Sequence, residues 1–517
     1  MATVTVHSGR TRTVIRVSPG SNLLDVLRSR NFRVYAPCGG EGTCGKCLVS
    51  VHDIGQPDRK QVTSCRYTVD RDIEVDLPDA TEAGVLASQY KRLRELPPAP
   101  GPASSLSQNP IGAAIDLGTT TIAVHLADLK SGSLIETRTA RNPQAVFGAD
   151  VISRIHHCMV DEDGLDTLQS QVTGTFNRLV SEFADSHGLP AADIVKVTVA
   201  GNATMMHILL GKHPEPLAFT PFKPVFTGKK QVPAASLGLD IHPRAEVHIL
   251  PSFSAYVGAD VVAGLAALDP ESNPENYLFV DVGTNGELAL VTPDRILCCA
   301  TAAGPAFEGA NLACGMEAAA GAISRYRGPD DCQTIANAPP VGICGSGLVD
   351  IVASLLRRGV IREDGFLAEP AVIFPAERPG VESGSRPGRD ILLTPGDVRE
   401  VQLAKSAIAA GVALLLRHAG CRTDDIGAVY LAGGLGNYLQ PRSAVEISLF
   451  PRELEGRIIP VGNTSASGAL LALKSEQFGA CLDEVLSRME LFELSGHPEF
   501  PDEFAANMDF PDAGKID

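Results

Sequence analysis

The chain has 517 residues, 44% hydrophobic and 20% charged, with a formal net charge of −17; that length exceeds one hydrophobic core and predicts two or three domains. The acidic balance leaves no basic stripe to neutralise phosphates, which excludes nucleic acid as a partner. The longest apolar run, residues 407–416, is too short for a membrane span, and with no basic and apolar leader before the first strand the expectation is a cytoplasmic globular protein.

In chain order, residues 3–19 read as two alternating strands joined by a Ser-Gly-Arg turn, and residues 21–32 as a helix capped by Ser21. The stretch PCGGEGTCGKCLVS follows, with Cys38, Cys44 and Cys47, and then Cys65 in TSCRY. Spaced Cys-x5-Cys-x2-Cys with a fourth 18 positions on, these cysteines match neither a redox dithiol nor the two matched pairs of a structural zinc site. Gly39, Gly40, Gly42 and Gly45 let a tight loop turn backbone N–H groups toward sulfur, as a thiolate-bound 2Fe-2S cluster needs. Cys65 is the one candidate for fourth ligand before Cys158. Together with the strand LVSVHDI, this order resembles the β-grasp 2Fe-2S ferredoxins with five residues between the first two cysteines. Trimming of the usual sheet is expected from the short gap to Cys65. The other eight cysteines (158, 298, 299, 314, 332, 344, 421, 481) lack ligand spacing and read as reduced core residues.

Residues 81–96 read as a helix and 97–110 as a Pro-, Ser- and Ala-rich linker. The chain then repeats itself. IGAAIDLGTTTIAVHLADLKSGSLI (111–135) and YLFVDVGTNGELALVTPDRILCC (277–299) share the form strand, Asp-x-Gly-Thr turn, strand, turn, strand. A second pair, IVKVTVAGNATMMHIL (194–209) and IGAVYLAGGLGNYL (426–439), shares a buried strand ending in Ala-Gly. Such turns bring backbone N–H groups and a hydroxyl to phosphate oxygens while the carboxylate takes Mg²⁺ through water. Two facing each other form a nucleotide clamp. Asp116 with Gly118, Thr119 and Thr120 makes one wall, and Asp281 with Gly283, Thr284, Asn285 and Gly286 the other; Gly433, Gly434 and Gly436 let adenosine lie close on the backbone.

This arrangement resembles the superfamily of acetate and sugar kinases, heat-shock chaperone ATPases and actin, whose two RNase H-like lobes close over ATP. The expected fold is therefore an α+β β-grasp ferredoxin domain (1–80), a helix and linker (81–110), an α/β two-lobed ATPase (111–276 and 277–475) and an acidic tail (476–517). Joined to the cluster domain, the blocks DLGTT, AGNATMMH, DVGTNGE, GPAFEGANLACGMEAAAGAI, GICGSGLVDI, QLAKSAIAAG and LAGGLGNYL resemble the reductive activators of corrinoid-dependent enzymes. The resemblance implies ATP-dependent transfer of one electron from the 2Fe-2S cluster to a Co(II) corrinoid protein of a methyltransferase system, restoring Co(I). It also implies an upstream electron donor and leaves a homodimer open. Alternatives are an electron donor to another low-potential enzyme, a small-molecule kinase and a redox-sensing regulatory ATPase.

The candidates for positioning the attacking water are Glu287, Glu308 and Glu317 near the second turn and Asn202 after the first connecting strand, with Glu287 grouped with Asp116 and Asp281 as catalytic and the choice among the four left open. Lys405 reaches either a phosphate or solvent. His156, His157 and His207 read as structural histidines, and Met205 and Met206 as packing. The tail, with two basic against eleven acidic residues, reads as a solvated segment in which Phe492, Phe500, Phe504 and Phe510 are apolar anchors.

Overall fold

A computed structural model describes residues 2–8, 11–30, 32, 34, 47–53, 60–76, 93–99, 101–269, 273–328, 331–376, 390–433 and 438–512. Cys38, Cys44, the four loop glycines, Gly434, Gly436 and residues 81–92 of the expected helix lie outside them.

The N-terminal unit is a five-stranded sheet. Strands β1 (Ala2–Ser8) and β2 (Thr11–Val17) form the expected antiparallel hairpin. The short β3 (Ser21–Asn22) leads into α1 (Leu23–Arg28), followed by β4 (Leu48–Asp53), β5 (Lys60–Thr63), β6 (Thr68–Val69) and β7 (Ile73–Asp76). The sheet order is β2-β1-β7-β4-β5, with β1 and β7 parallel. Alternation puts Val4, Val6, Val49, Val51, Ile73 and Val75 on one buried face against Leu23, Leu24 and Leu27 of α1. The helix cap is Asn22, whose side chain accepts from Leu24 N–H at 3.0 Å; Ser21 donates instead to the Ser18 carbonyl at 2.7 Å. Residues 93–96, expected to be helical, run extended, and Leu93 bridges to Leu268.

Residues 111–249 build a six-stranded sheet from β8 (Ile111–Leu117), β9 (Thr121–Asp128), β10 (Leu134–Arg141), β11 (Ile194–Gly201), β12 (Lys230–Pro233) and β13 (Glu246–Ile249), in the order β10-β9-β8-β11-β13-β12. Helices α2 (Val151–Val160), α3 (Gly164–His187) and α4 (Ala203–Leu209) connect its strands. Helix α5 (Ala259–Ala267) leaves this lobe for the next.

The second lobe repeats the plan with β14 (Tyr277–Val282), β15 (Gly286–Val291) and β16 (Ile296–Thr301). A satellite sheet of β17 (Ala322–Gly328), β18 (Asp331–Thr334) and β19 (Gly342–Ile343) precedes α6 (Gly345–Arg357), and the pair β20 (Ala371–Phe374) and β21 (Ile391–Leu393) precedes α7 (Pro395–Ala419). Then come β22 (Ala428–Ala432), α8 (Pro441–Glu446), β23 (Ile458–Gly462), α9 (Thr464–Lys474), α10 (Phe478–Arg488), β24 (Met489–Leu491) and α11 (Phe500–Ala506). The order β23-β22-β14-β15-β16-β24 matches that of the first lobe: hairpin strands β14–β16 correspond to β8–β10, β22 to β11 and β23 to β13.

Period-two alternation decides where the site falls. In β8, Ala113, Ile115 and Leu117 face α3, whereas Ala114 joins the cluster built around α5; in β14, Leu278, Val280 and Val282 face α6 and α7, whereas Tyr277 and Phe279 join that same cluster. Asp116 and Asp281 continue the second set, so both carboxylates point toward the layer that the two lobes share. That layer is α5 packed on α9. A Cβ on Gly468 would lie 2.4 Å from the Ala263 carbonyl, and one on Gly264 2.6 Å from Thr464 Oγ1, so both positions require glycine for the helices to approach this closely.

The acidic tail is not a solvated segment. Strand β24 pairs with β16, Phe492 and Phe510 are buried, and Phe500 and Phe504 pack against the second-lobe core. Lys405 reaches neither phosphate nor solvent: it is fully buried, its ammonium donates to the carbonyls of Asn507 (2.6 Å) and Asp509, and it lies 5.0 Å from the Phe510 ring centroid. Of the eight scattered cysteines, Cys158, Cys298, Cys299 and Cys344 are buried core residues as expected, whereas Cys314, Cys332, Cys421 and Cys481 are only half-buried.

Candidate functional site

One cavity between the lobes is lined by Asp116, Gly118, Thr119 and Thr120 from the first hairpin and by Asp281, Gly283, Thr284 and Asn285 from the second. Glu287, Glu308, Glu317, Asn202 and Gly433 line it as well. The repeated Asp-x-Gly-Thr segments thus meet. Each turn closes on itself, Gly118 N–H donating to Thr121 O at 3.0 Å and Gly283 N–H to Asn285 O at 2.9 Å. Gly286 lies in β15 opposite Thr301 rather than in the cavity wall.

Asp116 ends β8 beside Ala200 of β11, and Asp281 occupies the same place beside Ala432 of β22. Asp116 is held from the other lobe, accepting from Asn463 Nδ2 at 2.6 Å and Ser465 Oγ at 2.7 Å at the start of α9. Glu308 joins the two turns: its Oε2 accepts from Thr284 Oγ1 at 2.5 Å and from Thr120 Oγ1 at 3.1 Å. Glu317 reaches across to Arg141 at 2.7 Å. Asn202 caps α4, accepting from Met205 N–H, and donates to Thr119 Oγ1 at 2.9 Å.

These acids crowd one another. Burial, reinforced by the charges of Asp260, Asp116 and Glu308, pushes Asp281 up to about 8; burial and then Asp116 push Asp260 up to about 7, against the Val261 N–H it accepts. Glu287, directly across the ladder from Asp281, is pushed well up by burial and by Asp260 and Asp281. Burial also raises Asp116 and Glu308, each opposed by the two side-chain donors already named. An excess of buried carboxylate is the electrostatic condition that a divalent cation relieves. Among the described residues no three His, Cys, Asp or Glu side chains are placed to chelate one ion. The buried carboxylates of Asp116 and Asp281 in one cavity are of the chemistry that a hydrated Mg²⁺ shared with phosphate oxygens would fit.

Several members of the site escape a reading by motif. Arg154 of α2 is wholly buried and donates to the carbonyls of Thr119 (2.5 Å) and Gly148 (3.0 Å) and to Gln144 Oε1 (3.0 Å), with burial bringing it down to about 9. Asn142 ties its amide to the Gly118 carbonyl at 2.8 Å. Asp260, Asn463 and Ser465 complete the set. The available signals were an acid opening the apolar helix ADVVAGLAA and the polar triplet Asn463-Thr464-Ser465 directly after a buried strand. Of the histidines, His156 is exposed, His157 stacks on Phe147, and His207 is buried. Met205 and Met206 are fully buried.

At the N-terminal unit, Cys47 and Cys65 bring their sulfurs to 3.1 Å, well beyond a disulfide bond of about 2.05 Å. Cys65 N–H points at Cys47 Sγ from 3.4 Å. Burial pushes the Cys47 thiol up, but that N–H, the Cys65 side chain and Ser64 outweigh it and leave the thiol below its ordinary value. Two converging sulfurs with a backbone donor, one buried and one half-buried, fit half of a thiolate cage for a 2Fe-2S cluster.

Comparison with known proteins agrees with this architecture. Residues 6–70 match the 2Fe-2S iron-sulfur cluster binding domain, residues 111–272 the RACo middle region, and residues 275–516 the C-terminal domain of RACo, described as the ASKHA domain. The chain is 30% identical to the corrinoid activation enzyme RamQ of Eubacterium limosum, covering 96% of this chain and 98% of that one. It is 26% identical to the [Co(II) methylated amine-specific corrinoid protein] reductase of Methanosarcina barkeri over 68% of each. Among solved structures it resembles a reductive activator for corrinoid, iron-sulfur protein with a TM-score of 0.73, at 29% identity over 99% of both chains. With a ferredoxin unit fused to a two-lobed ASKHA domain and relatives of this kind along its whole length, the chain belongs to the family of reductive activators of corrinoid-dependent enzymes.

Proposed function

We propose that the chain delivers one electron to the Co(II) corrinoid of a methyltransferase-system protein, returning it to Co(I), and that Mg-ATP bound between the lobes governs docking and release of that partner. The observation that carries the reading is Glu308: one buried carboxylate oxygen receives the hydroxyls of both phosphate turns, Thr120 from one lobe and Thr284 from the other. The printed names of the relatives, a corrinoid activation enzyme and a Co(II) corrinoid protein reductase, support the reaction.

A 2Fe-2S cluster held by Cys38, Cys44, Cys47 and Cys65 supplies the single-electron donor, and Mg²⁺ beside Asp116 and Asp281 supplies countercharge to the triphosphate. The chain's own groups do the rest. Gly118, Thr119 and Thr120 face Gly283, Thr284 and Asn285 across the cleft; the two glycine N–H groups close their own turns, and the threonine hydroxyls are the donors left for phosphate oxygens. Arg154 fixes the first turn from behind through the Thr119 carbonyl. Glu308, which already receives the hydroxyls of both turns and would be released from them if phosphate oxygens took those hydroxyls, is the carboxylate we place to orient the attacking water; Glu287 lies across the ladder from Asp281.

ATP is needed because a one-electron transfer becomes tenfold less favourable for about every 59 mV by which the acceptor lies below the donor. Nucleotide-dependent binding and release of the partner makes such a cycle directional.

The test uses anaerobically purified protein, reduced and mixed with a Co(II) corrinoid protein, with Co(I) followed by absorbance with and without Mg-ATP. Asp116→Asn and Asp281→Asn are expected to abolish the ATP-dependent rate and keep the visible cluster spectrum. Cys47→Ser is expected to bleach the protein while nucleotide still binds. Wild-type rates from both classes of variant would end the proposal.

A further inference from the structure

The excursion between α4 and β13 is unlike the rest of the surface. Residues 212–231 carry Lys212, Lys223, Lys229 and Lys230 against Glu215 alone, in a chain whose net charge is −17. Large apolar groups stand exposed there: Phe219 at 54%, Val225 at 56% and, on the adjoining loop 250–258, Tyr256 at 37%. The two loops form one surface, since the rings of Phe222 and Tyr256 lie 5.4 Å apart. Phe222 has φ +53°, a left-handed backbone that a bulky residue rarely adopts. Lys229 is engaged by Asp483, and Lys230 lies over Phe226. Lys223, amid the exposed apolar groups, makes no ion pair among the described residues.

This surface is wired to the nucleotide cavity. Val225 N–H donates to His207 Nε2 at 3.0 Å, and the Nδ1–H of the same ring donates to the Ala203 carbonyl at 2.7 Å, so loop 219–226 is hooked onto α4. The cap of α4 is Asn202, which holds Thr119 Oγ1 in the first phosphate turn. The second loop has its own route. Gly258 lies so near Asn202 that a Cβ there would sit 2.6 Å from the Asn202 Cα, and two residues on is Asp260 in the cavity wall.

Resting on the reading of function above, we propose that the apolar and basic surface made by Phe219, Phe222, Lys223, Val225 and Tyr256 is where the corrinoid protein docks, and that docking reaches the nucleotide through His207 and Asn202. The face it fits is apolar with an acidic group opposite Lys223, since exposed apolar groups supply contact area and the exposed Lys223 ammonium, not engaged as Lys229 and Lys230 are, selects a negative partner.

The test replaces outward side chains only. Phe219→Asp with Val225→Asp, and separately Lys223→Glu, are compared with wild type for reduction of a purified Co(II) corrinoid protein from the source organism. The expected result for the double variant is a KM for that protein at least about tenfold higher, with turnover at saturation within twofold. Affinity for a fluorescent ATP analogue and the visible spectrum should not change. For Lys223→Glu, a smaller rise that fades at high salt is expected. Coupling predicts that saturating partner shifts the ATP affinity of wild type by at least about fivefold and that of His207→Gln much less. A KM within twofold of wild type in the double variant overturns the docking surface while the activation reading stands. A free wild-type dimer that the double variant abolishes overturns it in favour of a second copy of the chain. Wild type that reduces no Co(II) under ATP ends the activation reading and this proposal with it.

Discussion

Gly433 is the position where one added methyl group would take the room that the buried Asp281 carboxylate occupies. Its φ is +80°, and a Cβ built on it would lie 2.3 Å from Asp281 Oδ1 and 3.1 Å from the Val282 carbonyl. The glycine therefore makes space for Asp281 itself, whatever adenosine later does against the same backbone. In Gly433→Ala the left-handed backbone alone costs about 1–2 kcal/mol. The overlap costs more unless Asp281 turns away, because a carbon to oxygen contact relaxes only beyond about 3.4 Å and the Val282 carbonyl is backbone and moves less readily. A turned Asp281 no longer faces Asp116 across the cleft, so the expected loss is at least about tenfold in Mg-ATP affinity, equal to about 1.4 kcal/mol. Titration calorimetry with Mg-ATP measures that loss, and the visible spectrum of the cluster, in a separate unit, serves as the internal control. Affinity within twofold of wild type, with unchanged thermal stability, would show that Asp281 does not need the space and that the reasoning fails.

Thr284→Val removes one of the two hydroxyls on Glu308 and leaves a buried carboxylate short of a donor, a cost of about 1–3 kcal/mol; chemical denaturation in the absence of nucleotide should report it, and ATP-dependent turnover should fall with it. Lys405→Met should release the tail at a similar cost of about 1–3 kcal/mol, seen as faster hydrogen exchange and proteolysis across residues 495–512 before the second lobe itself opens. His125 is brought down to about 4 by burial and then by Lys474, so between pH 6.5 and 4 the unfolded chain binds more protons than the folded one. The contribution of His125 is thus complete above about pH 6.5 and declines by up to about 3 kcal/mol as pH falls through that window, against the opposite trend of the raised carboxylates Asp260 and Asp281; the difference in stability between wild type and His125→Gln, measured in urea titrations at pH 5 and 7, isolates it.

What could be read from the sequence was local and repeated. The two Asp-x-Gly-Thr hairpins each carry their own strand alternation and turn chemistry, and duplication placed Asp116 and Asp281 opposite one another before any fold was known. Strands β1, β2 and β4 were legible for the same reason. What was illegible depends on residues far apart. Helical periodicity cannot tell a cation that snorkels from one whose acceptors, the carbonyls of Asn507 and Asp509, arrive a hundred residues later. The tail looked solvated because its charges outnumber its phenylalanines, yet Arg417 of α7 takes Glu499 and Glu503, leaving Phe492 and Phe510 free to bury. Asn463 and Ser465 gain meaning only from Asp116, whose β-strand they meet across 347 and 349 residues.

Under the proposed function, those long-range bonds give the nucleotide a means of acting on the relation between the lobes. Asp116 of the first lobe is held by Asn463 and Ser465 at the start of α9, Thr120 and Thr284 share Glu308, and Arg141 reaches Glu317. Each of these cross-lobe contacts uses a cavity-lining group, which Mg-ATP would engage or displace under the proposed function. A ligand shifts an equilibrium only by its different affinity for the two states. In that reading the difference is built in: the donors that the side chains share across the cleft are the ones a phosphate would take, so nucleotide binding is expected to change the register of the lobes. Because α5 and α9 meet with Gly468 directly against the Ala263 backbone and Gly264 against the Thr464 side chain, a change of register between the lobes is expected to appear as a slide of one helix on the other.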